Sequence, residues 1–346
     1  MRWGVGVIGA GPGVAALHLP TLDRLRDRFA VAHVADGGSG RAEVLAGRVG
    51  ARASRETADL LSDPAVDIVA ICSPPALHAE QILASVAAGV RAILCEKPLA
   101  TTATDAHAVV EACRRAGVVL LVATNHFHDE AWDRAKHHLV ALESEVRSIS
   151  ATVALPPNGR FHDVVTESAP TVLPARGGPD LADRDTAAAV IRQLVVGLAV
   201  HDLPAVRDLA PDFEGVDFAA AVPPIGYTIG LRSSGIPILL TAVMVADGAD
   251  PVWRLTIGTA TDRVDVEFPP GFVHAGSATV RVRHGDGRTT TYRRSPEDGY
   301  VREWLALAAL LDGSATMEYH EVLDDALFAI SVADAAAAAV RAGGAP

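Results

Sequence analysis

The first third of the chain alternates short apolar runs with amphipathic ones, and no other feature narrows the fold as much. Trp3 to Ile8, Phe29 to Ala35, Val66 to Cys72, Arg91 to Cys95 and Val118 to Ala123 read as strands. Between them RAEVLAGRVG, ALHAEQILASVAAG and TDAHAVVEACRRAG read as helices, the last two ending at a glycine where a left-handed cap is wanted. Strand, helix and strand repeated in this way specify an α/β doubly wound parallel sheet with helices on both faces.

After about residue 125 the pattern changes. VRSISATVAL, GYTIGLRSSGIPILLTAVMV, WRLTIGTATDRVDVEF and SATVRVRHGDGRTTTYRR alternate with period two and are separated by turn signals such as HGDG, so they read as antiparallel strands. A helical segment near Thr186 to Leu209 interrupts them, and helices around Val301 to Leu311 and Glu321 to Arg341 close the chain. At 346 residues the chain is longer than one core usually grows. We therefore expect residues 1–125 as one domain and 126–346 as a C-terminal α+β domain with an open, mostly antiparallel sheet, whose terminal helix can pack back on the first domain. Pro156 to Asp185, rich in Pro, Gly and Asp and without a clear period, reads as a long loop near the site.

Charge excludes some partners. The chain carries 30 basic and 42 acidic residues, a formal net charge of -12, and a field of that sign opposes a phosphate backbone or an anionic membrane surface. Its first residues are too briefly apolar for a signal-peptide core or a membrane span. The cysteines, Cys72, Cys95 and Cys113, have no paired metal spacing and read as buried free thiols in a reducing cytoplasm.

The segment GVIGAGPGV places Gly9, Gly11 and Gly13, with Pro12 among them, between the first strand and the first helix. Glycines there allow a tight turn and bring the backbone close to a pyrophosphate, which the helix start stabilises. Val14 stands where a strict G-x-G-x-x-G pattern has its third glycine. Asp36 ends the second strand, where a carboxylate accepts hydrogen bonds from both hydroxyls of an adenosine ribose and repels a 2′-phosphate. This favours NAD, with Ser39 and Arg41 keeping NADP as the alternative.

With the glycine turn, CSPPALH at 72–78 and EKP at 96–98 on successive strand ends, the chain resembles the Gfo/Idh/MocA oxidoreductases from end to end, including VHDLPAVRDL at 200–209. The resemblance implies a Rossmann domain holding NAD or NADP, a second domain whose open sheet faces substrate and subunit neighbours, and small substrates such as sugars, inositols and related polyols. It implies that Lys97 gives a proton to the substrate oxygen during reduction, or takes one during oxidation. Burial and a cationic nicotinamide would lower the lysine pKa while Glu96 opposes the shift. Ser73, Pro74 and Pro75 would line the nicotinamide ribose side, and His78 would position cofactor or begin its helix.

The pattern also departs from the family. An aspartate is commonly paired there with a histidine four residues later on one helix face; His201 matches the histidine, but Gly197 holds the aspartate position. A glycine inside a helix costs about 1 kcal/mol relative to alanine, so it marks a widened pocket or a kink. Lys97 would then act with His201 alone or with a substitute acid such as Asp185 or Asp202, of which Asp202 is expected to face away or cap the turn before Pro204. In TNHFHDEAW, Asn125, His126 and His128 are candidate substrate contacts, as is Arg160, beside Phe161 and His162, in the long loop. His126 and His128, at i and i+2 of a strand and with His137 and His138 nearby, lack a thiolate or placed carboxylate to complete a shell, so no metal is expected.

The leading reading is an NAD(P)-dependent oxidoreductase that transfers hydride between nicotinamide and a small cyclic polyol, sugar or amino sugar, acting on an alcohol, ketone or imine. The low aromatic content, with four Trp and four Tyr, favours such a substrate over a polysaccharide. One alternative is an enzyme that retains NAD for net elimination, epimerisation or glycoside cleavage. Another is a non-catalytic dinucleotide-binding regulator. An open sheet with one apolar face needs covering, so a homodimer or homotetramer is expected.

Overall fold

A computed structural model of the protein describes residues 2–142, 144–157 and 178–343. The chain divides into two compact units, Met1–Thr124 with Tyr300–Leu327, and Asn125–Gly299 with Phe328–Pro346.

In the first unit six strands form one sheet: β1 Trp3–Ile8, β2 Phe29–Ala35, β3 Arg52–Ser54, β4 Ile68–Ile71, β5 Ala92–Glu96 and β6 Val119–Ala123. Their order is β3-β2-β1-β4-β5-β6, and every pairing is parallel. Side chains alternate across a strand, so the central strands must be apolar on both faces. In β4, Ile68 and Ala70 join one core with Leu22, Leu45, Trp304 and Leu307, whereas Val69 and Ile71 join a second core with Ile82, Val109 and Leu120. In β5, Leu94 and Ile93 divide in the same way. The helices Arg41–Val49 and Ala103–Ala116 each stop at a glycine in the left-handed region, Gly50 at φ 72° and Gly117 at φ 67°. Thr102 starts the second of them, its Oγ1 accepting from Asp105 N–H at 3.1 Å.

The strand order reverses between β1 and β4. In an open parallel sheet, ligands bind beyond the carboxyl ends of the strands at such a reversal.

The second unit holds an eight-stranded sheet of β7 Val146–Leu155, β8 Phe213–Ala221, β9 Gly226–Ser233, β10 Ile236–Met244, β11 Val252–Thr259, β12 Arg263–Glu267, β13 Thr279–Arg283 and β14 Thr289–Tyr292. The order is β14-β13-β12-β11-β7-β10-β9-β8. Six of its pairings are antiparallel, but β7 and β10 run parallel, and among the described residues the helices Arg184–Gly197 and Leu203–Leu209 and the strands β8 and β9 lie between them in the chain. Sequence periodicity also misses β8, whose pairing with β9 carries two register shifts that break the period of two.

The apolar face of this sheet, including Ile149, Val153, Leu231, Leu240, Leu255 and Val266, packs in one core with Trp132, Ile191, Val195 and Val332 from the unit's own helices. The opposite face is mixed and carries many polar side chains. Ser150, Thr152, Arg254, Thr256, Asp265 and Glu267 lie there, with Arg254 bonded to Glu267 and Thr256 to Asp265. Leu239 and Val252 also lie on this face, 43 % and 38 % exposed, so it is not free of apolar surface. Among the described residues no single helix is long and apolar enough to cross a membrane. The three cysteines are free thiols; Cys95 and Cys113 are buried as expected, but Cys72, at the end of β4, is half-buried.

Candidate active site

In the first unit the glycine turn is set by the close approach of two strand ends. Gly9 has φ +103°, and a Cβ on it would stand 2.6 Å from the carbonyl oxygen of Cys72, so only glycine fits. At Gly11 a Cβ would meet nothing within 4 Å, leaving open space beside the backbone. Pro12 and Gly13 begin a helical stretch that continues through a π-turn over Val14–His18 into the helix Leu19–Arg24. The Val14 side chain is buried with Leu19 and Leu22, which leaves only its backbone for a ligand.

Asp36, one residue beyond β2, is turned toward this glycine loop. Its Oδ2 accepts from Ala10 N–H at 3.1 Å and its Oδ1 from Ser39 N–H at 3.4 Å. The open backbone at Gly11, the helix start and a half-exposed carboxylate at the end of β2 fit a dinucleotide.

Beyond β4, Ser73 donates through Oγ to Gln81 Oε1, and Pro74 lies exposed on the turn. His78 is fully buried, with Nε2 2.9 Å from Ser73 O and Nδ1 2.7 Å from Pro98 O. It is a strut that holds the β4 turn to the β5 turn, not a surface for a ligand.

Glu96 is the last residue of β5. Its Oε1 lies 2.9 Å from His18 Nε2, and its Oε2 accepts from Lys97 N–H at 3.2 Å. Burial disfavours charge on His18, yet contact with the Cys72 sulfur and the Glu96 carboxylate raises its pKa well above the ordinary histidine value. Burial likewise opposes ionisation of Glu96 and is the largest single influence, but the His18 hydrogen bond and the positive charges of His18 and Lys97 together outweigh it and the carboxyl pKa falls. The indole N–H of Trp304 stands 3.4 Å from His18 Nδ1, too long to compete with the carboxylate over the state of the ring. Lys97 is half-buried, and desolvation lowers its pKa while Glu96 holds it up. A lysine held below its ordinary value at a strand end gives up its proton more readily than an ordinary lysine.

The second unit gathers a separate polar cluster. Asn125–His128 is a short helix, not the strand its i, i+2 histidines suggested, and the chain continues into the helix Glu130–Leu142. Asn125 Oδ1 accepts from His201 Nδ1 at 2.8 Å, which makes Nε2 the nitrogen able to take up a proton. His126 is buried, its ring stacked on Phe268 at 3.7 Å between centroids and its Nδ1 2.9 Å from Asp202 Oδ1. Asp202 Oδ2 accepts from Trp253 Nε1 at 2.8 Å, so this carboxylate does not face away as expected but is buried between two donors. His128 lies outside the cluster, edge-on to Phe127.

The remaining predicted residues divide. Asp185 is 86 % exposed and paired with Arg341, so it is a surface acid and not the substitute for the missing aspartate. Gly197 is not inside a helix but ends one, Arg184–Gly197, and His201 closes the separate turn Ala199–His201. The chain bends by 69° before the helix Leu203–Leu209. Between positions 197 and 201 the break is at Leu198, whose φ of -121° and ψ of -57° are not helical. Arg160, with Phe161 and His162, lies outside the described residues. Sequence reasoning missed His18 and Trp253 and misplaced Asp202; a lone histidine in the apolar stretch GVAALHLPTL was the only signal for the first.

Comparison with known proteins agrees with this geometry. Residues 3–124 match the model of the oxidoreductase family with an NAD-binding Rossmann fold (GFO_IDH_MocA). The chain is similar to inositol 2-dehydrogenase 3 of Saccharopolyspora erythraea, 41% identical over 108 residues, which are 31% of each chain. It is similar to 1,5-anhydro-D-fructose reductase of Ensifer adhaerens, 35% identical over 179 residues, 51% of this chain and 46% of the relative. These matches thus span about a third to a half of the relatives' length. Among solved structures, the UDP-N-acetylglucosamine 3-dehydrogenase GnnA from Acidithiobacillus ferrooxidans shares the fold with a TM-score of 0.74 at 19% identity, covering 98% of this chain and 99% of that one.

Proposed function

We propose that the chain, whose residues 3–124 match the model of the oxidoreductase family with an NAD-binding Rossmann fold, is an NAD(P)-dependent oxidoreductase acting on a small cyclic polyol, sugar or amino sugar. When bound, the dinucleotide supplies the hydride donor or acceptor. The backbone at Gly9, Gly11, Pro12 and Gly13 cradles its pyrophosphate, and Asp36 takes the adenosine ribose hydroxyls. Because that carboxylate repels a 2′-phosphate, NAD is the preferred form. Ser73 and Pro74 flank the nicotinamide side, with His78 and Glu96 as their supports.

Lys97 carries the reading. It stands at the carboxyl end of β5 with its pKa lowered by burial, so it can protonate a carbonyl oxygen in reduction or accept the hydroxyl proton in oxidation. In the second unit His201, oriented by Asn125, is the residue we assign to handling the substrate hydroxyls. The named relatives act on inositol and anhydrofructose, which supports a compact polyhydroxylated substrate. A homo-oligomer remains our expectation on the resemblance alone, and a monomeric mass by light scattering would refute it.

Two measurements test the function. Thermal unfolding with NADH should shift upward more than with NADPH, and Asp36→Ala should erase that preference; no shift with either nucleotide, once co-purified cofactor is removed, would sink the dinucleotide reading. On the best substrate from a panel of polyols and ketoses, Lys97→Met should lower kcat by about 10²- to 10⁴-fold with the unfolding midpoint retained. Undiminished turnover in that variant would remove Lys97 from the chemistry.

A further inference from the structure

A third group of polar side chains, in the second unit, belongs to neither cluster described above. His138 comes from the helix Glu130–Leu142, Asp262 from the tight turn between β11 and β12, and His284 from the position directly after β13. Each offers one ligand atom, and these atoms lie within 4.8 Å of one another. Four-coordinate metal–ligand bonds of about 2.0–2.1 Å separate donor atoms by roughly 3.3 Å, so side-chain rotation alone brings the three into range.

The outward nitrogens of both rings are committed. His138 Nδ1 lies 2.9 Å from Tyr292 Oη, and His284 Nε2 lies 3.0 Å from Thr290 Oγ1. With those nitrogens donating to the hydroxyls, the inward nitrogens, His138 Nε2 and His284 Nδ1, present lone pairs. His138 Nε2 is buried and has no hydrogen-bond partner among the described residues. His284 Nδ1 stands 3.4 Å from Asp262 Oδ2, an arrangement of two electron-rich atoms that a cation between them resolves. Asp262 Oδ1 is fixed by Gly285 N–H at 3.0 Å, and the Asp262 side chain is only 6 % exposed. An imidazole whose far nitrogen is held by a hydrogen bond, beside a hydrogen-bonded carboxylate, is how proteins orient metal ligands.

We propose that His138, Asp262 and His284 form a binding site for a borderline divalent cation of the zinc class, which clamps the Glu130–Leu142 helix to the β12–β14 end of the sheet. Two imidazoles and one carboxylate match zinc or cobalt better than calcium or magnesium, which prefer all-oxygen shells. Both supporting hydroxyls, Thr290 and Tyr292, belong to β14, so metal binding also secures the edge strand. The sequence reading weighed His126 and His128, with His137 and His138 nearby, and expected no metal. The first of these is already engaged by Asp202 and Phe268, and the ligands that complete the His138 set come from distant strands.

The test uses the full chain, stripped of metal by chelation and returned to chelator-free buffer, with Zn²⁺ in calorimetry and Co²⁺ in visible absorption as probes. One equivalent of Zn²⁺ should bind and raise the unfolding midpoint, and Co²⁺ should give the intense bands of a four-coordinate site. His138→Ala and His284→Ala should each abolish both signals, while His137→Ala, on the exposed side of the same helix, should keep them. Tyr292→Phe removes only the hydroxyl behind His138 and should weaken Zn²⁺ by about 10- to 100-fold without unfolding the chain. Substoichiometric binding in the parent protein, or undiminished binding in the His138, His284 and Tyr292 variants, would overturn the site.

Discussion

Two buried histidine–carboxylate pairs, His18–Glu96 in the first unit and His126–Asp202 in the second, have the same chemistry and the same 2.9 Å separation. What differs is the rest of each carboxylate. Asp202 gives its second oxygen to Trp253 Nε1, so both oxygens serve the packing of three rings, His126, Trp253 and Phe268. Glu96 gives its second oxygen to the backbone N–H of Lys97 and stays a quarter exposed, so its charge bears on the lysine ammonium next to it. A carboxylate saturated by fixed donors holds structure; one with a charged neighbour tunes that neighbour.

The comparison breaks most visibly at Asp202. Asp202→Ala leaves a buried imidazole and a buried indole N–H without their acceptor, and should cost about 3–5 kcal/mol of stability in urea unfolding. A loss below about 1 kcal/mol would mean that the pair is not what holds the rings.

His18→Gln should cost less, about 1–3 kcal/mol, because glutamine still offers Glu96 a hydrogen bond. Its pH dependence is the sharper readout. His18 has a folded pKa raised above 6.5, so its contribution is complete below that value and fades as pH rises through the folded pKa. Glu96 has a folded pKa lowered below 4.5, so its contribution is complete above that value and fades as pH falls through the folded pKa. The stability gap between parent and variant should therefore be widest between about pH 4.5 and 6.5 and should narrow in alkali. A gap that does not vary with pH would show that the pair is not ionised.

The two units were also unequally legible in the sequence. The parallel sheet shows itself because its central strands are apolar on both faces and the helices Arg41–Val49 and Ala103–Ala116 end on a glycine, and β1 and β2 match to the residue. β3 does not, being three residues long with two of them exposed. In the second unit period two located seven strands but not the parallel β7–β10 pair, which depends on chain connectivity, nor the bulged β8. Among site residues, those on strand ends and the glycine turn were readable: Gly9, Gly11, Asp36, Glu96 and Lys97. The pairings between distant positions were not. His18 meets Glu96 across 78 positions, and Asn125 meets His201 across 76. Asp185 was misjudged because spacing says nothing about which face of a helix meets solvent.

The most direct test follows the lysine itself. Lys97 is one of only two lysines in the chain; the other, Lys136, is paired with Asp208 at 3.0 Å. Selective ¹³Cε-lysine labelling should therefore give two titrating NMR signals. The signal lost in Lys97→Arg should titrate below the ordinary lysine value of 10.5 and move lower still in Glu96→Gln. A Lys97 that titrates at its ordinary value, or is indifferent to Glu96→Gln, would contradict the claim that burial and Glu96 together set the proton chemistry of this site.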